Sequence, residues 1–156
     1  MLPDRKVVKD LFEGLLGRDI NITAGKPVDI GIPKPVIAAY IDNDIRLRSV
    51  VLMDLNLAAR AGAAIALVPK GGADAVLEST LLLPHLFDNA SEICNVLGAP
   101  LGEASGIHQR LQMTYAPSDP VPQHILTVAA QVGMREDLLL DISGYGTGTL
   151  SMVVAL

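Results

Sequence analysis

The sequence predicts an α/β chain of the α+β kind: a mostly antiparallel sheet of about six strands with long helices packed on one face. Three observations carry that reading. Two β-rich runs, Val36 to Ile41 and Ile45 to Met53, flank Asp42-Asn43-Asp44, which is a hairpin signature. Leu138 to Ser143 and Thr149 to Ala155 flank Gly144-Tyr145-Gly146-Thr147-Gly148, which reads as a second hairpin turn. Between the hairpins the apolar residues recur at helical spacing, so the helices cluster instead of alternating with strands.

The elements follow in order. Val7, Val8, Leu11, Phe12, Leu15 and Leu16 give a helix over residues 4–16, with Asp4 as its N-cap and Gly17 as a left-handed stop. Asp19 to Thr23 alternates polar and apolar, the period of a short strand. Residues 25–35 hold three of the ten prolines and read as an irregular connection. In the first hairpin Arg46 and Arg48 alternate with Ile45 and Leu47, giving one solvated face. Asp54 or Asn56 caps a helix from Leu57 to Val68, whose Gly62 and alanines predict close packing. A short helix from Ala73 to Ser79 precedes a longer one from Leu83 to Ala99. Gly106 to Tyr115 reads as a strand, Pro117, Pro120 and Pro122 as a loop, and Ile125 to Val132 as another strand. No linker divides the chain, so residues 1–156 are expected to form one domain.

Composition narrows the function. The 156 residues can bury a sizeable core, half of them are apolar, and with five aromatics and no Trp that core is aliphatic. With 12 basic against 17 acidic residues the net charge is −5, which argues against nucleic acid or an anionic membrane as partner. The apolar stretch from Ala61 to Pro69 is about half of the ~20 residues that span a bilayer. Charges near the N-terminus occupy the place of a signal peptide's apolar region. The single cysteine, Cys94, excludes an internal disulfide and leaves too few thiols for a zinc site. A cytoplasmic protein is expected.

Chemistry concentrates in the longer helix. At 100° per residue, Asp88, Glu92 and Asn95 fall within about a 60° arc, while Phe87, Ala90, Cys94 and Leu97 gather opposite as a core face. A carboxylate and a carboxamide held side by side can hold a partner's cation and orient a water. The same residue types also suit an ordinary solvent face, so the triplet alone does not decide. Other candidates are weaker. Gly144-x-Gly146-x-Gly148 lacks the Lys and Ser/Thr of a phosphate-binding loop and precedes no helix, and Lys70-Gly71-Gly72 shares that weakness. His85, His108 and His124 lie in different elements without metal-ligand spacing. Cys94 sits on the apolar side of its helix and reads as a buried structural thiol.

Taken in this order, the residues resemble the CheC/CheX/FliY family of chemotaxis phosphatases. That family's pattern is Asp or Ser, three residues, Glu, two residues, Asn, and a Pro a little over twenty residues later. Asp88, Glu92 and Asn95 match in place. Pro117 follows Asn95 with twenty-one residues between, one short of the usual gap. The order of elements is similar too, from a helix ending in Leu15-Leu16-Gly17 to the terminal run of strands. The first-half helix, Leu57 to Val68, carries no Glu or Asn, so the resemblance is closest to the single-site CheX type.

The resemblance implies a substrate, the aspartyl phosphate of a response-regulator receiver domain such as phospho-CheY. It makes Asn95 the group that holds the attacking water and Glu92 the partner of the receiver's Lys, with Asp88 and Val96 as further partner contacts. It also implies no cofactor or metal bound by this chain, the Mg²⁺ belonging to the receiver. The alternative is a non-catalytic adaptor or flagellar-switch-type scaffold. Few charges occur in Leu150 to Leu156, so a homodimer is expected, pairing a C-terminal or hairpin strand across its two-fold axis.

Overall fold

The computed structural model describes residues 1–79 and 81–156. Alternation along the first hairpin sets the two layers. In β2 (Val36–Ile41) and β3 (Leu47–Met53), Val36, Ala38, Tyr40, Val51 and Met53 face one cluster of buried residues, while Ile37, Ala39, Val50 and Leu52 face another. Both faces are covered, which is why these strands read as near-continuous apolar runs. Asp42 closes the hairpin by accepting hydrogen bonds from the backbone N–H groups of Asp44 and Arg46 and from Arg48 Nε at 2.7 Å. The Arg46 N–H, and then the Arg48 guanidinium, hold its carboxyl below the ordinary Asp range.

With β1 (Ile20–Ala24), β4 (Arg110–Tyr115), β5 (Arg135–Ile142) and β6 (Gly146–Val154), these strands form a six-stranded sheet in the order β1-β5-β6-β3-β2-β4. Every pairing is antiparallel, as expected. The second hairpin turns at Gly144 and Gly146, both at positive φ, so the glycine run is a turn as its sequence predicts.

The long helices pack on the first face. They are α1 (Arg5–Leu16), α2 (Leu55–Ile65) and α4 (Pro84–Ser105), with α3 (Lys70–Ser79) against α2. Asp4 caps α1 by accepting from Val7 N, and Gly17 ends that helix at φ 65°. Asp54, not Asn56, caps α2. Val8, Phe12 and Leu16 of α1, the alanines of α2, and Ala90, Ile93, Cys94 and Leu97 of α4 share one core with the sheet.

The structure corrects four expectations. Residues 125–132 do not form a strand; Gln123–Ala129 is a helix, α5, on the second face. Its Ile125 and Ala129, one turn apart, bury against Val50, Leu52 and Val153. Burial of that short stripe overrides the β-propensity of the segment. Arg135, paired with Asp137 at 3.0 Å, donates to the carbonyls of Ala129 and Gln131 and ties down the helix end.

The longer helix does not stop at Ala99. It runs through Pro100 to Ser105, although proline removes the bond to the Val96 carbonyl. Leu101 is buried there, and Gln109 Nε2 donates to Leu101 O and Ser105 Oγ. Gly106 is consequently the helix's left-handed cap, and β4 begins at Arg110 rather than Gly106. Finally, β6 and both strands of the first hairpin are interior, so none of them can pair across a two-fold axis; the edges are β1 and β4.

Candidate functional site

Helix α4 is gripped from two sides, by α2 and by the sheet, and that grip decides which face it shows. A Cβ on Gly62 of α2 would come within 2.6 Å of the Leu86 carbonyl oxygen, so the two helices meet at backbone distance only because Gly62 has none. Asn89 Nδ2 donates to Gly62 O at 3.0 Å across the same junction. From the sheet below, the buried Tyr40 hydroxyl donates to the Cys94 carbonyl. Burial pushes the Cys94 thiol up to about 12, so it stays protonated and inert, a structural thiol as expected.

With the helix so rotated, Asp88, Glu92 and Asn95 are all exposed along one strip. Among the described residues their side chains make no hydrogen bond or ion pair. Val96 is half-buried beside them. The structure therefore brings the triplet together and leaves it free, on a rigid element.

Pro117 is not part of this strip. It stands in the turn after β4, where Asp119 Oδ2 accepts from Ala116 N, and borders a cleft with Pro33, Leu81 and Leu82. His85 and His124 lie on the surface in separate helices. Among the described residues no three or more His, Cys, Asp or Glu group as metal ligands, and no helix is long and apolar enough to cross a membrane.

Asn95 also stands at the head of a groove of about 460 Å³ between α4 and the start of β4. Gly98 and Gly102 of α4 line it, together with His108 and Arg110 at the entry to β4. Sequence reading missed these two side chains, because it placed them in a strand with no tie to the helix. The signal available was Gly98-x3-Gly102, a small-residue stripe one turn beyond the motif that admits a neighbouring backbone.

No protein-family model matches the sequence, and no curated protein matches it. Solved structures do match. FliY of Thermotoga maritima superposes with a TM-score of 0.55 at 16% identity, over 94% of this chain and 81% of that one. FliM of H. pylori, in its complex with FliG, gives 0.60 at 9% identity, covering 96% and 85%. CheX of Borrelia burgdorferi, in a complex with CheY, BeF3 and Mg, gives 0.51 at 10% identity, covering 94% and 92%.

The chain has the fold of CheX, FliY and FliM. Within this CheX/FliY/FliM fold, the two helices that pack together here differ in what they present. Helix α4 shows an acid–amide strip, whereas α2 has no Glu, exposes Asn56 in its first turn, and turns Arg60 to the Thr147 carbonyl.

Proposed function

We propose that this chain docks α4 onto a phosphorylated receiver domain and speeds hydrolysis of its aspartyl phosphate, as one active site per chain in chemotaxis or two-component signalling. The observation that carries the reading is the state of Glu92 and Asn95: neighbours on one helix face, exposed, and engaged by no described residue. An ordinary surface helix does not require such a pair, but a site that completes itself on a partner does.

The chemistry asks little of the protein. An acyl phosphate is already labile, so the work is to place water in line with the leaving carboxylate. The Asn95 carboxamide both donates and accepts and can hold that water. Glu92 forms a charge-assisted pair with the receiver's Lys and seats the helix. Asp88 and Val96 flank the contact. The Mg²⁺ comes with the receiver, so no step needs a metal ligand from this chain. That CheX was crystallised with CheY, and FliM with FliG, supports a protein as the partner of this fold.

The test is the decay of phosphorylated receivers with and without the chain. Asn95→Ala removes the positioning amide from a solvent-facing strip and is expected to slow the reaction about 10²-fold, roughly 2.7 kcal/mol. Glu92→Ala is expected to raise KM as well as lower kcat, and Asp88→Ala to have the smallest effect. If receivers bind but decay at their intrinsic rate, or Asn95→Ala works as well as wild type, the chain is an adaptor or scaffold instead.

A further inference from the structure

The proposed site has an electrostatic problem. The chain carries a net charge of −5, and two of its carboxylates, Asp88 and Glu92, lie on the motif strip itself. A receiver's phosphorylated aspartate lies among the carboxylates that bind its Mg²⁺, and phosphoryl group and carboxylates together outweigh the ion's two positive charges. One Glu92–Lys pair would have to hold together two surfaces that otherwise repel.

We propose that Arg110 supplies the missing cation, pairing with the acidic rim of the receiver on the side of Asn95 away from Glu92. The inference rests on the phosphatase reading and extends it to a residue outside the motif. Arg110 and Asn95 line the same groove. The Arg110 side chain is exposed and, among the described residues, makes no hydrogen bond or ion pair. Glu103, the carboxylate in that groove, does not pair with it. An unpaired guanidinium beside the motif is available to a partner.

Backbone geometry explains how a strand residue comes to stand beside a helix motif. A Cβ at Gly98 would lie 3.5 Å from the Gln109 carbonyl oxygen and 3.9 Å from Arg110 Cα, and one at Gly102 would lie 3.2 Å from Gln109 N. Gly102 lets the entry of β4 lie directly against α4, whereas a Cβ at Gly98 would make only ordinary contact with it. The Gln109 amide, bonded to Leu101 O and Ser105 Oγ, locks that segment to the helix. Along the face the order is then Glu92, Asn95, Arg110. On the partner that order would meet Lys, the phosphoryl group with its attacking water, and the acidic rim, so that two charge pairs flank the amide that holds the water.

The experiment titrates the intact chain with purified receivers held in their active form by beryllofluoride and Mg²⁺, at about 50 and about 300 mM salt. Arg110→Glu is expected to weaken binding at least tenfold at low salt, with a clearly smaller loss at high salt. Arg110→Lys is expected to stay within about threefold of wild type, since a cation at the rim suffices. In the decay assay Arg110→Glu is expected to raise KM more than it lowers kcat. A loss that ignores salt, or that Lys does not rescue, marks Arg110 as merely structural and overturns the inference. So does Arg110→Glu binding as tightly as wild type, which leaves the phosphatase reading standing. If wild type binds no activated receiver, that reading fails and takes this one with it.

Discussion

Helices α2 and α4 lie together on one face of the sheet and are made of opposite materials. Leu57, Ala58, Ala59, Ala61, Gly62, Ala63 and Ala64 of α2 are buried, so the helix is enclosed almost all round by α3, α4 and β6. Helix α4 buries one stripe, from Leu86 through Ala90, Ile93 and Leu97 to Leu101, and leaves the opposite side wet. A helix so largely enclosed offers a partner little surface beyond its first turn, but it can hold its neighbour in one rotation. Helix α2 is the frame that fixes the rotation of α4, and a polar face is informative only when something fixes it.

The sharpest way to break this comparison is to put the same charge on each helix. Ala61 is fully buried, and Ala61→Glu forces an unpaired carboxylate into the core; a loss above about 4 kcal/mol, or failure to fold, is expected. Ala99 is exposed on α4, and Ala99→Glu is expected to stay within about 0.5 kcal/mol by urea denaturation. Equal costs would mean that α2 is not the frame. Next in size is Gly62→Val, whose Cβ would sit 2.6 Å from the Leu86 carbonyl oxygen. We expect about 2–3 kcal/mol of destabilisation, even though glycine is the poorer helix former.

The helix starts differ as well. Asp54 accepts from Leu57 N at 2.8 Å and from Thr149 N at 3.1 Å, stitching α2 to β6. Asp54→Ala is expected to cost about 1–2 kcal/mol. Helix α4 begins at Leu83 with no side-chain cap. Leu83→Asp, at an exposed position, is expected to raise stability by about 0.5–1 kcal/mol, read as a higher thermal midpoint.

How far this was legible in the sequence varies with range. Both hairpins, the caps at Asp4 and Gly17, and the exposed strip of α4 were readable, because a turn, a cap or a helical arc is settled by residues close in sequence. The fate of Ile125 to Val132 was not. Its β-branched residues favour a strand locally, and only the apolar second face of a sheet assembled from distant segments makes a short helix the better burial. Pro100 misled in the same way, since the local penalty of an interior proline is outweighed by Leu101 in the core and by the Gln109 amide. Arg110 was invisible for a third reason: its place beside Asn95 depends on a backbone approach at Gly102 of α4, and no periodicity reports that.

The position of β6 bears on how the chain is made. Of the six strands of the sheet it is the last to emerge in synthesis, yet it lies between β5 and β3 and pairs with both. Until Gly146–Val154 leaves the ribosome, the sheet exists only as two fragments, β1 with β5 and β3 with β2 and β4, each offering an edge of unpaired backbone N–H and C=O groups. Closure waits for the last of the six strands, which joins both fragments at once. A nascent chain halted inside β6 would be the form most exposed to aggregation, and the one a chaperone has most reason to hold.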